Sequence, residues 1–441
     1  MNLKKLLIGL TAASALLTGC ATGGSSNPTA NSTNSTSPLE SSGALSGEIT
    51  VWSWDVAATA LTRLATDFQT ANPGTTVKVV DVGYDNAYDK ISVGLQSGAG
   101  LPDLVTVETD HMPGYISAFP KGFIDMSPVA SSMKADFDPS KWAASSDSNG
   151  ALLSLPWDSG TVAMFYRSDY WKAAGIDPNS VKTWDDLVTA GETVKAKTGH
   201  TLLSFDVSSG ALFQMLLQQQ GKGYFNAAGD VDLTNPEAVR ALTLMKTLND
   251  KGLVDNVQGW DGRVSSNKQG HSAAHVEAVW WIGTLTGEMP ELSGKFGVRP
   301  LPVFADGGAA TANNGGSTLA IPTQAKNPAL AWAFTNFVLA NTANQVSMMK
   351  NEGLYPAYLP ALSDSFFSSS DPYFGGETVY KVFADLTGKI PAMEYTSDFS
   401  KASEIVAAAV VASVLNGTDP AKALGDAAAQ IATATGRKVA Q

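Results

Sequence analysis

The sequence predicts an α/β fold built as two lobes. From residue 47 onward, runs of strand formers alternate with amphipathic helical runs, the signal of parallel strands covered by helices. The chain has 441 residues, beyond the ~250–300 at which one core stops growing, so it forms two domains or one large bilobal unit. Its 44% hydrophobic content supports a sizeable core.

The elements follow in chain order. Lys4-Lys5, the apolar run Leu6 to Leu17 and the small residues before Cys20 have the order of a secretory signal. The run is too short for the ~20 residues of a membrane span. Its ending, Leu17-Thr18-Gly19-Cys20, resembles the lipobox of bacterial lipoproteins. That resemblance implies cleavage after residue 19 and a lipid on Cys20. Cys20 is the sole cysteine, so no disulfide can form within the chain. Residues 21–44, mostly Ser, Thr, Asn, Gly and Ala, cannot bury enough apolar surface to order themselves and read as a flexible leash.

Order is expected from Gly47. Ile49–Trp54 reads as a strand. Thr59–Ala71 reads as a helix with Leu61, Leu64 and Phe68 on one face, stopped by Asn72-Pro73-Gly74. Val77–Val82 is a second strand, Tyr88–Ser97 a helix and Leu104–Val107 a third strand. Strands recur at Val162–Tyr166, Leu202–Phe205 and Val276–Trp281, with a short one at Leu319–Ile321. Asn235-Pro236 and Asn327-Pro328 each open a helix with Pro at its first position. The tail is helical from Ile405 to Leu415, stops at Asn416-Gly417 and restarts at Asp419-Pro420.

A net charge of −12 argues against nucleic-acid binding and against electrostatic docking on anionic lipid. No GxxxxGK[ST] phosphate loop is present, so the chain is not expected to hydrolyse ATP.

Six segments, in order, resemble the extracellular solute-binding proteins of carbohydrate ABC importers, the family that includes maltose-binding protein. They are Glu48–Trp54; Phe68 through Asn72-Pro73-Gly74 to Val77; Gly98 through Pro102-Asp103 to Glu108; Leu155-Pro156-Trp157 through Tyr166-Arg167-Ser168-Asp169; Gly315-Gly316-Ser317 through Asn327-Pro328 to Phe334; and Leu415-Asn416-Gly417 with Pro420 and Leu424. The resemblance implies a two-lobed periplasmic-binding-protein-like fold with a hinge and a ligand cleft between the lobes. It implies lobe 1 from 47–159 and 314–356, and lobe 2 from 160–313 and 357–441, after a signal peptide (1–19) and a lipid-anchored linker (20–46). It also implies a non-enzyme receptor, a monomer held on the outer face of the cell membrane or in a periplasm. Its partners would be a sugar and the permease subunits of an importer with a separate ATPase. No cofactor and no metal are expected.

A sugar presents hydroxyls and apolar C–H faces, so its site needs carboxylates or amides and aromatic plates. In open α/β sheets such sites lie beyond the carboxyl ends of strands. The residues at predicted strand ends are Trp54 and Asp55, Tyr84, and Glu108 and Asp110, with the last two on one face if the strand persists. Trp157 and Asp158 precede the first crossing. Trp280 and Trp281 end a lobe-2 strand, one stacking on sugar and the other packing inward, while Trp260 sits in a Gly-flanked loop. Asn314 and Gly316 lie at the second crossing and Tyr355 at the third. Trp142, Trp171, Trp184 and Trp332 read as packing. His271 and His275 have the i, i+4 spacing of a helical metal pair, but the resemblance makes that stretch a packing helix. Two alternatives remain: a secreted glycoside hydrolase using Glu108, Asp110 or Asp158, or the same fold holding a peptide, an amino acid or a metal.

Overall fold

The structure, a computed structural model, describes residues 37–41 and 43–441. The expected signal, Cys20 and most of the leash lie outside the described residues. The compact unit begins at Ser37, ten residues before the expected start. Leu39 explains this: it is 2% exposed in the same core as Ile49 and Leu61. Burying one leucine contributes about 2 kcal/mol toward holding this stretch against the body.

Two five-stranded sheets organise the chain. The first holds β1 (Gly47–Ser53), β2 (Thr75–Asp81), β3 (Leu104–Glu108), β4 (Leu155–Pro156) and β10 (Ser317–Ala320) in the order β2-β1-β3-β10-β4. β1 runs parallel to β2 and β3, whereas β10 returns antiparallel between β3 and β4. The second holds β5 (Val162–Arg167), β6 (Thr201–Phe205), β7 (Val254–Asn256), β8 (Ser272–Ala278) and β9 (Phe296–Arg299) in the order β7-β6-β8-β5-β9. Here β6 is parallel to β7 and β8, and β5 is antiparallel to β8 and β9.

The helices form where caps and periodicity direct them. Helix Pro236–Asp250 starts on Asn235, whose side chain accepts the Ala238 N–H, and buries Ala238, Leu242 and Met245. Helix Trp184–Thr198 opens with a reciprocal capping box between Thr183 and Asp186. Trp142, Trp171 and Trp184 are buried in cores and Trp332 packs against one, as expected. No helix among the described residues is long and apolar enough to cross a membrane.

Several expected boundaries shift. The first helix begins at Asp55, not Thr59, directly after the strand. The strand expected at Val276–Trp281 is instead Ser272–Ala278, and helix Trp281–Glu288 follows with Trp280 as its N-cap. An apolar run does not itself distinguish a buried strand from the helix after it. His275 therefore lies in a strand, so the stretch at 271–275 is not a helix and the i, i+4 pairing does not form.

The two sheets are joined by adjacent crossings. Ser159 N–H donates to Tyr355 O at 2.8 Å and Asn314 N–H to Gly160 O at 2.8 Å. Isolated bridges link Asp158 with Pro356 and Thr161 with Asn313.

Candidate functional site

The carboxyl ends of β1 and β3 from one sheet, and of β6 and β8 from the other, flank these crossings. On the first side the chain leaves β1 through Trp54 and Asp55. Trp54 is in extended backbone and nearly buried, with its ring 5.8 Å from that of Tyr88. Asp55 is exposed and is the one non-glycine among the described residues with positive φ, 44°. That conformation costs an L-residue about 1–2 kcal/mol, and such strain concentrates at functional sites.

β3 ends at Glu108, and Asp110 lies in the turn after it, so the strand does not persist to place the two on one face. The turn gathers them around His111 instead. His111 Nδ1 is 2.8 Å from Asp110 Oδ1 and 3.8 Å from Glu108 Oε2. Its ring stacks on Tyr88 at 4.0 Å, and the Tyr88 hydroxyl donates to Glu108 Oε2 at 2.5 Å. Burial lowers the basicity of His111, but the Asp110 hydrogen bond and the charges of Asp110 and Glu108 outweigh it and raise its pKa. Glu108, Asp110 and His111 bring ligand-type atoms within 4.8 Å of one another, the one such trio among the described residues. Tyr84 begins helix Tyr84–Ser97, and its side chain lies outside the described residues.

Beneath this turn sits Lys141, fully buried, on the short helix Pro139–Ala144. Its ammonium donates to Gly315 O, and to Thr109 Oγ1 at 3.3 Å. Burial lowers its pKa, opposed by Asp138, Asp158, Asp110 and Glu108. Asp158 accepts the Ser317 N–H at 2.7 Å; burial raises its carboxyl, and Lys141 and that hydrogen bond pull it back. Asp158 thus ties one crossing to another. Gly316 has φ 95°, and a Cβ there would overlap the Lys141 ammonium and Asp158 O.

On the second side, Glu277 at the end of β8 is buried and accepts from Arg263 Nη1 and Asn314 Nδ2, each at 2.6 Å, and from Ala278 N–H at 2.9 Å. Burial raises its pKa against the opposing Arg263 charge and these hydrogen bonds. Trp260 lies in the first turn of helix Gly259–Gln269 rather than in a loop, and is 44% exposed. The Arg263 guanidinium lies 5.2 Å from its ring, and Trp280 lies 5.8 Å from it. The half-buried Trp280 donates from Nε1 to Asn314 O at 3.0 Å. A small cavity of about 20 Å³ opens at the ends of β6 and β8, lined by Asp206, Arg263, His275 and Glu277 among others.

Three expected site residues leave the list. Trp157 is fully buried in the core under the first sheet. Trp281 is fully buried against His275 and Trp260. Tyr355 is 1% exposed and packs on Phe367 and Phe383. The crossings run through the cores, so large aromatics beside them fill space. Sequence reasoning missed Tyr88, His111, Lys141 and Arg263. The run Glu108-Thr109-Asp110-His111 carried a signal for His111, and the i, i+3 spacing of Trp260 and Arg263 one for the stacked guanidinium. Nothing local marked Lys141. It also missed Tyr395, whose ring packs on Phe399 at 4.7 Å and whose hydroxyl sits in the field of Asp110 beside Gln214. Its neighbour Ser397 faces Gly114 of the first side.

Comparison with known proteins fits this geometry. The profile of the bacterial extracellular solute-binding proteins matches residues 53–345. A lactose-binding protein of Rhizobium radiobacter is 30% identical over 81% of this chain and 86% of its own. An arabinooligosaccharide-binding protein of Bacillus subtilis is 29% identical over 79% and 82%. Among solved structures, the sugar-binding protein MalE of Xanthomonas citri superposes with TM-score 0.77 at 19% identity, covering 87% of this chain and 96% of that one. An ABC-transporter-associated binding protein of B. animalis in complex with β-1,6-galactobiose gives 0.71 at 22% identity, covering 90% and 100%. By sequence and by fold, this chain belongs to the bacterial extracellular solute-binding protein family.

Proposed function

We propose that this protein is the sugar-binding receptor of an ABC importer, taking an oligosaccharide into the cleft between its two sheets and presenting it to a membrane permease. One observation carries the reading: carboxylates at the ends of β1 and β3 stand across the crossings from the Trp260–Trp280 wall at the end of β8. Carboxylates accept sugar hydroxyls through charge-assisted hydrogen bonds, and indoles stack on C–H faces. The relatives named for lactose and for arabinooligosaccharide support a sugar as the solute.

In this reading Asp55, Glu108, Asp110, Trp54, Trp260 and Trp280 contact the ligand. Asn314, Gly316 and Asp158 shape the crossing beneath it. The lobes are those the resemblance implies, and binding closes them about the crossings. No bond of the sugar is broken. In this reading the receptor is a monomer outside the cell, lipid-anchored through Cys20 and within reach of its permease, where the leash raises its effective concentration.

The test is a titration of the purified domain with lactose, arabinotriose, β-1,6-galactobiose and maltotriose, followed by tryptophan fluorescence and calorimetry. A saturable change with one of them is expected, weakened at least tenfold in Asp110→Asn. Silence across the panel by both methods would overturn the reading.

A further inference from the structure

We infer that the cleft selects uncharged sugars and rejects their uronic-acid and phosphorylated counterparts by charge. This rests on the sugar-receptor reading above and specifies the ligand's chemical class.

The observation is an imbalance of formal charge at the strand ends. Asp55, Glu108, Asp110, Asp158, Asp206 and Glu277 all stand at or beside the carboxyl ends of the strands or the crossings. Two basic side chains accompany them, and both are engaged. Arg263 is bound to Glu277 at 2.6 Å and leans on Trp260. Lys141 is fully buried and directs its ammonium to Gly315 O and Thr109 Oγ1, so it offsets the carboxylates above it without reaching a ligand. His111 adds a third positive charge only when protonated, and its Nδ1 is held by Asp110.

An uncharged sugar meets the accessible carboxylates, Asp55, Glu108 and Asp110, as hydrogen-bond acceptors. A carboxylate or phosphate on the sugar would meet them as like charges in a partly desolvated site, an arrangement that serves discrimination against wrong partners. No described residue at these strand ends offers an unengaged guanidinium or ammonium to offset that repulsion. Asp206 keeps its charge at neutral pH. It accepts the Ser208 and Gly259 N–H groups, and the Ser208, Gly259 and Arg263 contacts together outweigh burial and hold its carboxyl below the usual range.

The experiment compares each galactoside that binds (lactose, β-1,6-galactobiose) with the same sugar oxidised at C6 of the galactosyl ring. The uronamide, which has the acid's shape without its charge, is the control. At pH 7 and low salt the acid is expected to bind about a hundredfold more weakly than the parent, and the uronamide within about tenfold of it. Raising the salt should narrow the acid's deficit, because exposed charges are screened. Acid binding equal to or tighter than the parent's would overturn the inference and leave the sugar reading standing. A uronamide as weak as the acid would also overturn it, since shape would then be the cause. If neither parent nor acid binds while arabinotriose does, the comparison moves to arabinotriose against arabinotriose oxidised to a carboxylate at a terminal primary hydroxyl, with the same two outcomes. No binding by any sugar overturns the receptor reading and this inference with it.

Discussion

At residue scale, the site's chemistry is held at a local cost. Asp55 sits at φ 44° on the first residue of a helix, where glycine would sit without penalty. Its charge also faces the helix N-terminus, a gain of about 0.3–1 kcal/mol that partly offsets the strain. Asp55→Gly is therefore expected to unfold within ~1 kcal/mol of the parent in urea, yet to bind sugar at least tenfold more weakly. Unchanged affinity would show that the strain serves something other than the ligand. His111 makes a separate prediction. Its partners Asp110 and Glu108 outweigh its burial and raise its pKa. A histidine raised on folding contributes stability fully below its unfolded pKa, about 6.5, and loses it as pH rises through the folded value. The stability advantage of the parent over His111→Gln should thus shrink as pH climbs from about 6.5. A gap that widened with pH in paired urea titrations would contradict the assignment of Asp110 and Glu108 as its partners.

At the scale of elements, the short helix Pro139–Ala144 does more than its length suggests. Asp138 caps it by accepting Ser140 N–H at 2.9 Å and also accepts the Ser159 hydroxyl at 2.7 Å. The helix thereby fixes one crossing while its Lys141 fixes another through Gly315. Removing one member of a buried charged network leaves the others uncompensated, at ~3–5 kcal/mol. Lys141→Met should lose about 3 kcal/mol in equilibrium urea unfolding; a loss under ~1 kcal/mol would mean the ammonium is not part of the network. The sequence offered Asp158 as a site residue but not its network, because Lys141 reaches Gly315, and Asp158 reaches Ser317, only after the chain has crossed to the second sheet and returned. What was legible is local. Asn327 before Pro328 marked a helix whose cap forms as expected, with Asn327 Oδ1 accepting from Leu330 N. The alternation at 47–108 marked the parallel half of the first sheet. The misplaced tryptophans share one cause. Trp157 and Trp281 follow apolar runs whose continuation inward or outward depends on tertiary packing, and periodicity over four or five residues carries no such information.

At the scale of the molecule, the two sheets act on each other through the crossings, through contacts such as Ser397 against Gly114, and through the ligand proposed to fill the cleft. The crossing at 158–161 lies against that at 313–317 with almost no space between backbones: a Cβ at Gly160 would overlap the carbonyl of Asn314. That carbonyl also accepts the Trp280 Nε1–H, while the Asn314 side chain reaches Glu277. Shifting it would disturb both the aromatic wall and the buried carboxylate at the end of β8. Asn314 N–H in turn donates to Gly160 O, so the strain of an added methyl cannot be released on one strand alone. Gly160→Ala should therefore act on both stability and closure. Overpacking of this kind costs about 1–3 kcal/mol. If the crossings are the hinge, the variant should also close less completely around sugar. Small-angle scattering of the parent should show a radius of gyration that falls on addition of saturating ligand. In Gly160→Ala the fall should be smaller, with affinity weakened at least tenfold. A variant that is destabilised but closes and binds as the parent does would show that the contact between Gly160 and Asn314 supports the fold without setting the angle between the lobes.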